Sequence, residues 1–318
     1  MHIVTRGRFA PSPSGEMHLG NAWTALLAWL QTRSLGGQMI LRMEDLDPDR
    51  SKKAFAQQLI EDLRWLGLDW DEGPDLGGPY EPYNQDGRRS SYEEALQKLT
   101  AAGLLYACYC TRAELRSVAQ APHAGEINVY SGTCRFRATA GGEDVNKRQT
   151  SLRLAVPPIM IEFIDLCQGE YRQDMTVDAG DFIVRRADGI HAYQLAVVVD
   201  DAAMQITHVL RGADLLDSTP RQLLLFELLG LKKPCYSHVP LLIGSDGERL
   251  SKRHGDVSLA ALRAKGVPAE IIVGYLAFKA NLIKEWVPVR PQQLVELFQL
   301  AKLPRESVVI DIEEFYKC

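Results

Sequence analysis

The chain has 318 residues, 46% of them apolar, with 36 lysines and arginines against 41 aspartates and glutamates and a formal net charge of −5. That apolar share is enough for a full core, and no apolar run is long enough to cross a bilayer, which excludes a disordered chain and a helical membrane protein. The slightly negative balance excludes a broad, salt-driven grip on nucleic acid while leaving room for a local basic patch.

Ile3 and Val4 open a strand predicted to reach Phe9. Pro11, Pro13 and Gly15 then forbid regular structure. After Gly20 the residues Trp23, Leu26, Leu27 and Leu30 recur at helical spacing until Gly36-Gly37 stops them. The segment from Arg8 to Asn21 therefore reads as strand, tight loop and helix N-terminus. Unpaired N–H groups and the positive dipole end suit phosphate there. Gly20 lets a nucleotide approach the backbone, and His18 can donate a hydrogen bond to a phosphate oxygen. The same residues also fit an ordinary strand-to-helix turn with a surface histidine, and this motif alone does not separate the two.

Helices are predicted around Phe55, Leu59, Ile60 and Leu63, and around Tyr92, Ala95, Leu96 and Leu99. They complete the first half of a nucleotide-binding fold, residues 1–103. An insertion is expected over residues 104–179. It holds Cys108, Cys110 and Cys134, three of the six cysteines; the others are Cys167, Cys235 and Cys318. No signal peptide is expected, because Arg6 and Arg8 interrupt any apolar run at the start. A cytoplasmic, reducing compartment follows, and disulfides are not expected. Cys108-Tyr109-Cys110 with Tyr130 to Cys134 form a cluster that suits a tetrahedral zinc. One residue between the first two cysteines is short for such a site, so buried free thiols stand as the alternative. His123 rivals Tyr130 as the fourth ligand. Gly141-Gly142-Glu143-Asp144 reads as a loop.

Phe182-Ile183-Val184 and Ala196 to Val199 are expected to resume a parallel sheet as buried strands, in a second catalytic half over residues 180–245. Ser245 to Glu248 is a turn by composition. Arg249, Lys252, Arg253 and His254 follow, a cation cluster able to clamp a triphosphate, with Lys252 placed to stabilise departing pyrophosphate. A solvated basic loop is the alternative. Residues 246–318 are expected to form this loop and a small helical domain: one helix from Leu259, one over Ile271 to Leu276 after Pro268, and one marked by Leu294, Val295, Leu297 and Phe298. Arg135, Arg137, Arg185, Arg186, Arg249, Lys252 and Arg253 are candidates for a basic patch.

Together these segments resemble the class I aminoacyl-tRNA synthetases of the glutamyl type. His18-Leu19-Gly20-Asn21 is similar to the family's HIGH signature, with Leu19 and Asn21 as substitutions. Leu250-Ser251-Lys252-Arg253 is similar to the centre of its KMSKS signature, of which one lysine survives. Leu41 to Asp47, Tyr193 to Asp201 and Val209 to Leu215 match the glutamyl branch. The resemblance implies an α/β, Rossmann-like catalytic domain, a zinc-bearing insertion and a C-terminal helical stem-contact domain. It implies ATP binding at His18, Gly20, Asn21 and Lys252, with His18 and Lys252 catalytic. It implies glutamate binding by Arg8, Phe9, Ala10, Pro11, Ser12, Glu44, Tyr193 and Arg211. A glutamate side chain is a carboxylate best held by a guanidinium, and Arg8 and Arg211 both stand at ends of candidate strands, where open α/β sheets present ligands. Glu44 suits the substrate's ammonium, although it and Asp45 can also pair locally, and Tyr193 can also be core. The family's Cys-x-Cys, Tyr-x-x-x-Cys zinc site falls on Cys108, Cys110, Tyr130 and Cys134.

Only a short tail follows Gly255, where glutamyl-tRNA synthetases continue into an anticodon-binding region. The resemblance then points to the branch that activates L-glutamate with ATP and magnesium without tRNA and transfers it to the queuosine base at the wobble position of tRNA(Asp). No DNA and no membrane are expected as partners. A truncated enzyme charging a tRNA 3′ end, an adenylate-forming ligase with a non-RNA acceptor, and an inactive binding paralogue are the rival readings. Intact His18, Gly20, Glu44, Arg211 and Lys252 weigh against the last.

Overall fold

The structure, a computed structural model, describes residues 4–111, 114, 129–137, 150–248, 250 and 258–316. Of the residues named above, His123, the loop 141–144, Arg249, Ser251, Lys252, Arg253, His254, Gly255 and Cys318 lie outside the described residues.

Strand β1 (Arg6–Phe9) is buried along its whole length. Helix α1 (Leu19–Ser34) carries the chain over to β2 (Gln38–Leu41), which lies parallel to β1 with Arg6 opposite Gln38 and Phe9 opposite Leu41. Such a crossover is what a parallel pair requires. Helices α2 (Lys53–Trp65) and α3 (Arg89–Ala101) follow, then β3 (Leu105–Cys108), the short α4 (Thr133–Arg137) and β4 (Ser151–Leu154). A hairpin of β5 (Met160–Asp165) and β6 (Gly169–Asp174) leads to β7 (Phe182–Arg185) and α5 (Tyr193–Ala203). The chain re-enters the parallel sheet as β8 (His208–Gly212), crosses through α6 (Thr219–Leu228) and ends the sheet with β9 (Cys235–Val239). The order is β2-β1-β8-β9, all parallel. Beyond it come β10 (Leu242–Ile243), α7 (Leu259–Ala264), α8 (Ala269–Lys279), α9 (Pro291–Leu294) and β11 (Val308–Val309).

Side-chain alternation along the strands divides the core between the two faces of the sheet. Met39, Leu41 and Leu210 join Trp23, Leu27 and Leu30 of α1, Leu59 and Leu63 of α2, and the tail residues Leu262, Ile272 and Leu276. Ile40 and Val209 point the other way, onto Tyr92 and Leu96 of α3, Val197 and Val198 of α5, and Leu224 and Leu225 of α6. Both faces are thus covered, the condition under which parallel strands are stable. α1 lies so close to β1 that a Cβ on Gly7 would overlap the Thr32 hydroxyl.

Three expectations are corrected. Ala196 to Val199 is helical, within α5, and not a strand. A short apolar run carries the same signal for a buried helix as for a buried strand, and packing between α3 and α6 overrides the β-branched preference of the valines. Phe182 to Arg185 is a strand, but it pairs antiparallel to β4 in the separate sheet β3-β4-β7 rather than joining the parallel one. Phe182 and Val184 are buried while Ile183 and Arg185 are half-buried, the alternation of a sheet with one wetter face. The helix expected over Leu294 to Phe298 ends at Leu294. The tail also supplies β11, parallel to β10, a strand pair that its sequence did not suggest. Val4 is exposed and precedes the first strand, which starts at Arg6; Ile3 lies outside the described residues. No helix among the described residues is long and apolar enough to cross a membrane.

Candidate active site

β1 is flanked by β2 on one side and β8 on the other, and the connections to them cover opposite faces of the sheet. Ligands in open α/β folds bind beyond the carboxyl ends of strands at such a switch point. A cleft of about 690 Å³ opens there. Arg8, Phe9, Ala10, Pro11, Ser12, His18, Gly20, Asn21, Glu44, Tyr193 and Arg211 all line it, so every described residue expected at a glutamate or nucleotide site is brought together. Ser14, Trp23, Thr24, Leu210, Gly212, Asp214, Leu215, Leu241 and Leu242 also line it and were not foreseen as site residues. Leu250, from the second motif, also reaches it.

The loop after β1 is held by backbone bonds. Arg42 N–H donates to Phe9 C=O at 3.0 Å, Glu44 N–H to Pro11 C=O at 2.9 Å, and Lys52 N–H to Pro13 C=O at 3.1 Å. This spaces the prolines without strand pairing and carries Glu44 to the cleft. His18 caps α1: its Nδ1 accepts from Asn21 N–H at 3.3 Å, and Asn21 Oδ1 accepts from His18 N–H at 3.2 Å. An accepting Nδ1 leaves the ring proton on Nε2. A Cβ on Gly20 would meet the His18 ring at 3.0 Å, so glycine keeps the capped turn open. Leu259 N–H donates to Met17 C=O at 2.8 Å and Ser258 bridges His18, so the chain that follows the second motif returns to the helix N-terminus.

Beneath the cleft lies a charge network. Arg42 is fully buried and reaches Asp201 at 2.6 Å, Glu44 at 3.3 Å and Asp200 at 3.7 Å. Arg8 Nε stands 3.4 Å from Asp201. Burial works against the Arg42 charge, yet Asp201, Asp200 and Glu44 outweigh it and raise its pKa. Burial likewise opposes charge on Asp201, but Arg8 and Arg42 hold its carboxyl below the usual range. Glu44 goes the other way: burial pushes its carboxyl up and Arg42 and Arg8 offset this only in part. A cation docked on Glu44 would restore its charged form. Asp200 and Asp201 stood in a segment quoted for its resemblance, and Arg42 in another, but their pairing across 159 positions was not visible.

Arg211 extends from β8 with four partners. Its guanidinium donates to Tyr193 Oη at 3.3 Å, Thr219 Oγ1 at 2.8 Å, Leu215 C=O at 3.4 Å and His238 Nε2 at 3.0 Å. Burial pushes the Tyr193 hydroxyl pKa up, so it stays a neutral donor and acceptor.

Away from the cleft, Cys108, Cys110 and Cys134 bring their sulfurs within 4.8 Å of one another, a group able to hold a metal ion. Cys110 Sγ is 3.4 Å from Cys134 Sγ, and Tyr130 Oη is 3.6 Å from both Cys108 and Cys110 Sγ. Burial raises the Cys108 thiol, but the Tyr130 hydroxyl and the Arg153 guanidinium bring it down to about 7. The candidate basic patch is largely offset where it is described: Arg135 pairs with Asp181 at 3.3 Å, Arg185 with Glu93 at 3.6 Å, and Arg186 with Asp47 at 2.9 Å and Asp188 at 2.6 Å.

Comparison with known proteins agrees with this geometry. The Glutamyl-Q tRNA(Asp) synthetase of Symbiobacterium thermophilum is 54% identical over 312 residues, 96% of each chain. That of Nitratidesulfovibrio vulgaris is 50% identical over 309 residues, 96% of this chain and 95% of the relative. The crystal structure of glutamate-tRNA synthetase from Elizabethkingia anophelis superposes with a TM-score of 0.85 at 28% identity, covering 98% of this chain and 69% of that one. The family described as tRNA synthetases class I (E and Q), catalytic domain, matches residues 4–303, and the chain belongs to it.

Proposed function

We propose that the protein is an ATP-dependent ligase that activates glutamate without tRNA and transfers it to the queuosine base at the wobble position of tRNA(Asp). The observation that carries this reading is the near-full-length likeness to relatives named Glutamyl-Q tRNA(Asp) synthetase. The cleft supports it by gathering two guanidiniums, a carboxylate and a capped helix N-terminus.

In the first step an oxygen of the glutamate α-carboxylate attacks the α-phosphorus of ATP, which arrives with magnesium, and the bond to pyrophosphate breaks. Arg211 and Arg8 hold the side-chain carboxylate, Glu44 takes the ammonium, and Tyr193 with the Phe9–Ser12 loop walls the substrate. His18 donates from Nε2 to a phosphate oxygen, and Gly20 and Asn21 admit the nucleotide at the N-terminus of α1. Lys252, outside the described residues, stabilises the departing charge. In the second step a hydroxyl of the queuosine cyclopentene-diol attacks the activated carbonyl, and AMP leaves. We propose a cytoplasmic location for the enzyme, in keeping with a tRNA substrate.

Labelled glutamate and ATP should therefore label tRNA(Asp) that contains queuosine and leave matched tRNA(Asp) without it unlabelled. Label on both, or on tRNA(Glu) alone, would mean a 3′-charging enzyme instead. Pyrophosphate exchange that required tRNA would also count against the reading.

We assign a structural zinc to Cys108, Cys110, Tyr130 and Cys134. Zn–S bonds of about 2.3 Å put tetrahedral sulfurs roughly 3.8 Å apart, close to the spacing here, and the Tyr130 oxygen, 3.6 Å from the Cys108 and Cys110 sulfurs, supports it as the fourth ligand. The pure protein should carry about one zinc per chain and lose thermal stability on chelation. Stoichiometric metal analysis that finds none would remove the assignment.

A further inference from the structure

We propose that Asp165 and His238 are positioning residues that aim the Arg211 guanidinium at the substrate's side-chain carboxylate without neutralising it. The inference rests on the role given to Arg211 above.

Asp165 ends β5 and is almost wholly buried. Its carboxylate accepts the backbone N–H groups of Cys167 at 2.9 Å, Gln168 at 2.8 Å and His238 at 3.1 Å, and stands 2.6 Å from His238 Nδ1. His238 is fully buried in β9, directly opposite Arg211 of β8 in the parallel register. The Arg211 Nε can only donate, and it points at His238 Nε2 from 3.0 Å. Nε2 must therefore be the accepting nitrogen. The proton is on Nδ1, donated to Asp165, and the imidazole is neutral. Burial and the nearby Arg211 charge favour that neutral form, while Asp165 pulls the other way; the net shift is downward. The Asp165 carboxyl is itself opposed by burial but held below its usual value by His238 and the backbone donors. Tyr236 stacks on the His238 ring at 6.0 Å between centroids and lies 5.2 Å below the Arg211 guanidinium.

The chemistry of this chain differs from an ordinary ion pair. Arg8 spends its Nε on the carboxylate of Asp201, which cancels much of its field. Arg211 meets a neutral ring instead, with the carboxylate one residue further back. The guanidinium is fixed at Nε by His238 and at one terminal nitrogen by Thr219. Its charge is left for an incoming carboxylate, which a buried Arg–Asp pair would have turned away. Asp165 fixes the tautomer: the opposite one would face an N–H against the Arg211 Nε–H.

The test is glutamate-dependent pyrophosphate exchange with the full chain. His238→Phe keeps a flat ring on Tyr236 but offers Arg211 no acceptor. Its KM for glutamate should rise about tenfold or more, as when a charged hydrogen-bonding group loses its partner, while the KM for ATP stays close to wild type. His238→Gln places an amide oxygen toward Arg211 and an amide N–H toward Asp165, and should recover most of the loss. Asp165→Asn, nearly isosteric, offers Nδ1 a donor, reverses the tautomer and should reproduce the Phe effect; it carries the test if the Phe variant does not fold. A glutamate KM unchanged in both Phe and Asn variants overturns the proposal, as does an equal rise in both KM values with no rescue by Gln. Wild-type exchange driven by an amino acid other than glutamate overturns the substrate reading beneath it, an outcome separable from variants that fail to respond.

Discussion

Arg211→Ala should raise the KM for glutamate in pyrophosphate exchange by two to three orders of magnitude, because breaking a buried charge pair by removing one partner costs about 3–5 kcal/mol. The guanidinium is 4% exposed, so little water replaces it when it is gone. Its partners Tyr193, Thr219 and His238 are neutral and cannot balance a substrate carboxylate. Arg211→Lys should recover only part of the loss. An ammonium is a point charge without the planar fork that reaches β9, α5 and the α6 N-terminus together. Because the contact is made to the part of glutamate that does not react, the effect belongs in KM more than in kcat. An Arg211→Ala enzyme whose glutamate KM stays within about threefold of wild type, under 1 kcal/mol, would move the carboxylate to Arg8. Steady-state exchange kinetics at saturating ATP make the measurement.

Arg211 and Arg8 were legible in the sequence because their place at the cleft follows from residue type and strand position. A guanidinium at the carboxyl end of a parallel strand faces the switch-point cleft whatever the details of packing. The helix N-terminus at His18 was legible for a similar reason: prolines and glycine end one element and apolar spacing opens the next. What supports these groups was not. Asp165 and His238 are 73 positions apart, and Arg42 and Asp201 159 apart. A carboxylate in sequence carries no mark of which distant cation it will meet. Ala196 to Val199 failed for a local reason, since four apolar residues hold too few turns to separate a period of 3.6 from one of 2. The flanking Asp200 and Asp201 are both buried within α5 and share Arg42, Asp200 turning otherwise to Arg88, Gln85 and Tyr92 and Asp201 to Arg8.

That network sets the second large effect. Arg42→Met should lower the unfolding free energy by about 3–5 kcal/mol, the cost of leaving a buried charge without its partner. Set against a typical total of about 5–15 kcal/mol, this is a loss most domains would register as a large drop in urea midpoint. Arg42 is 0% exposed, so the vacancy fills with thioether and not with water. Asp200 survives the change with Arg88 at 2.5 Å, Gln85 at 2.7 Å and Tyr92 at 2.9 Å. Asp201 does not: its remaining cation is Arg8, at 3.4 Å. The orphan is therefore Asp201, and Arg42→Met combined with Asp201→Asn should be more stable than Arg42→Met alone. The pH dependence follows from the sign of the shift. The Asp201 carboxyl is held below its ordinary value in the folded chain, so its contribution is fully present above the unfolded value of about 3.9 and is lost as pH falls through the folded one. Arg8 remains as a cause of that depression, but the charge and hydrogen bond of Arg42 are gone, so the variant should lose less further stability than wild type on acidification through that range. Equal acid sensitivity in the two proteins, or a destabilisation under about 1 kcal/mol at neutral pH, would show that Arg8 alone holds Asp201 and that Arg42 is a spectator in the core.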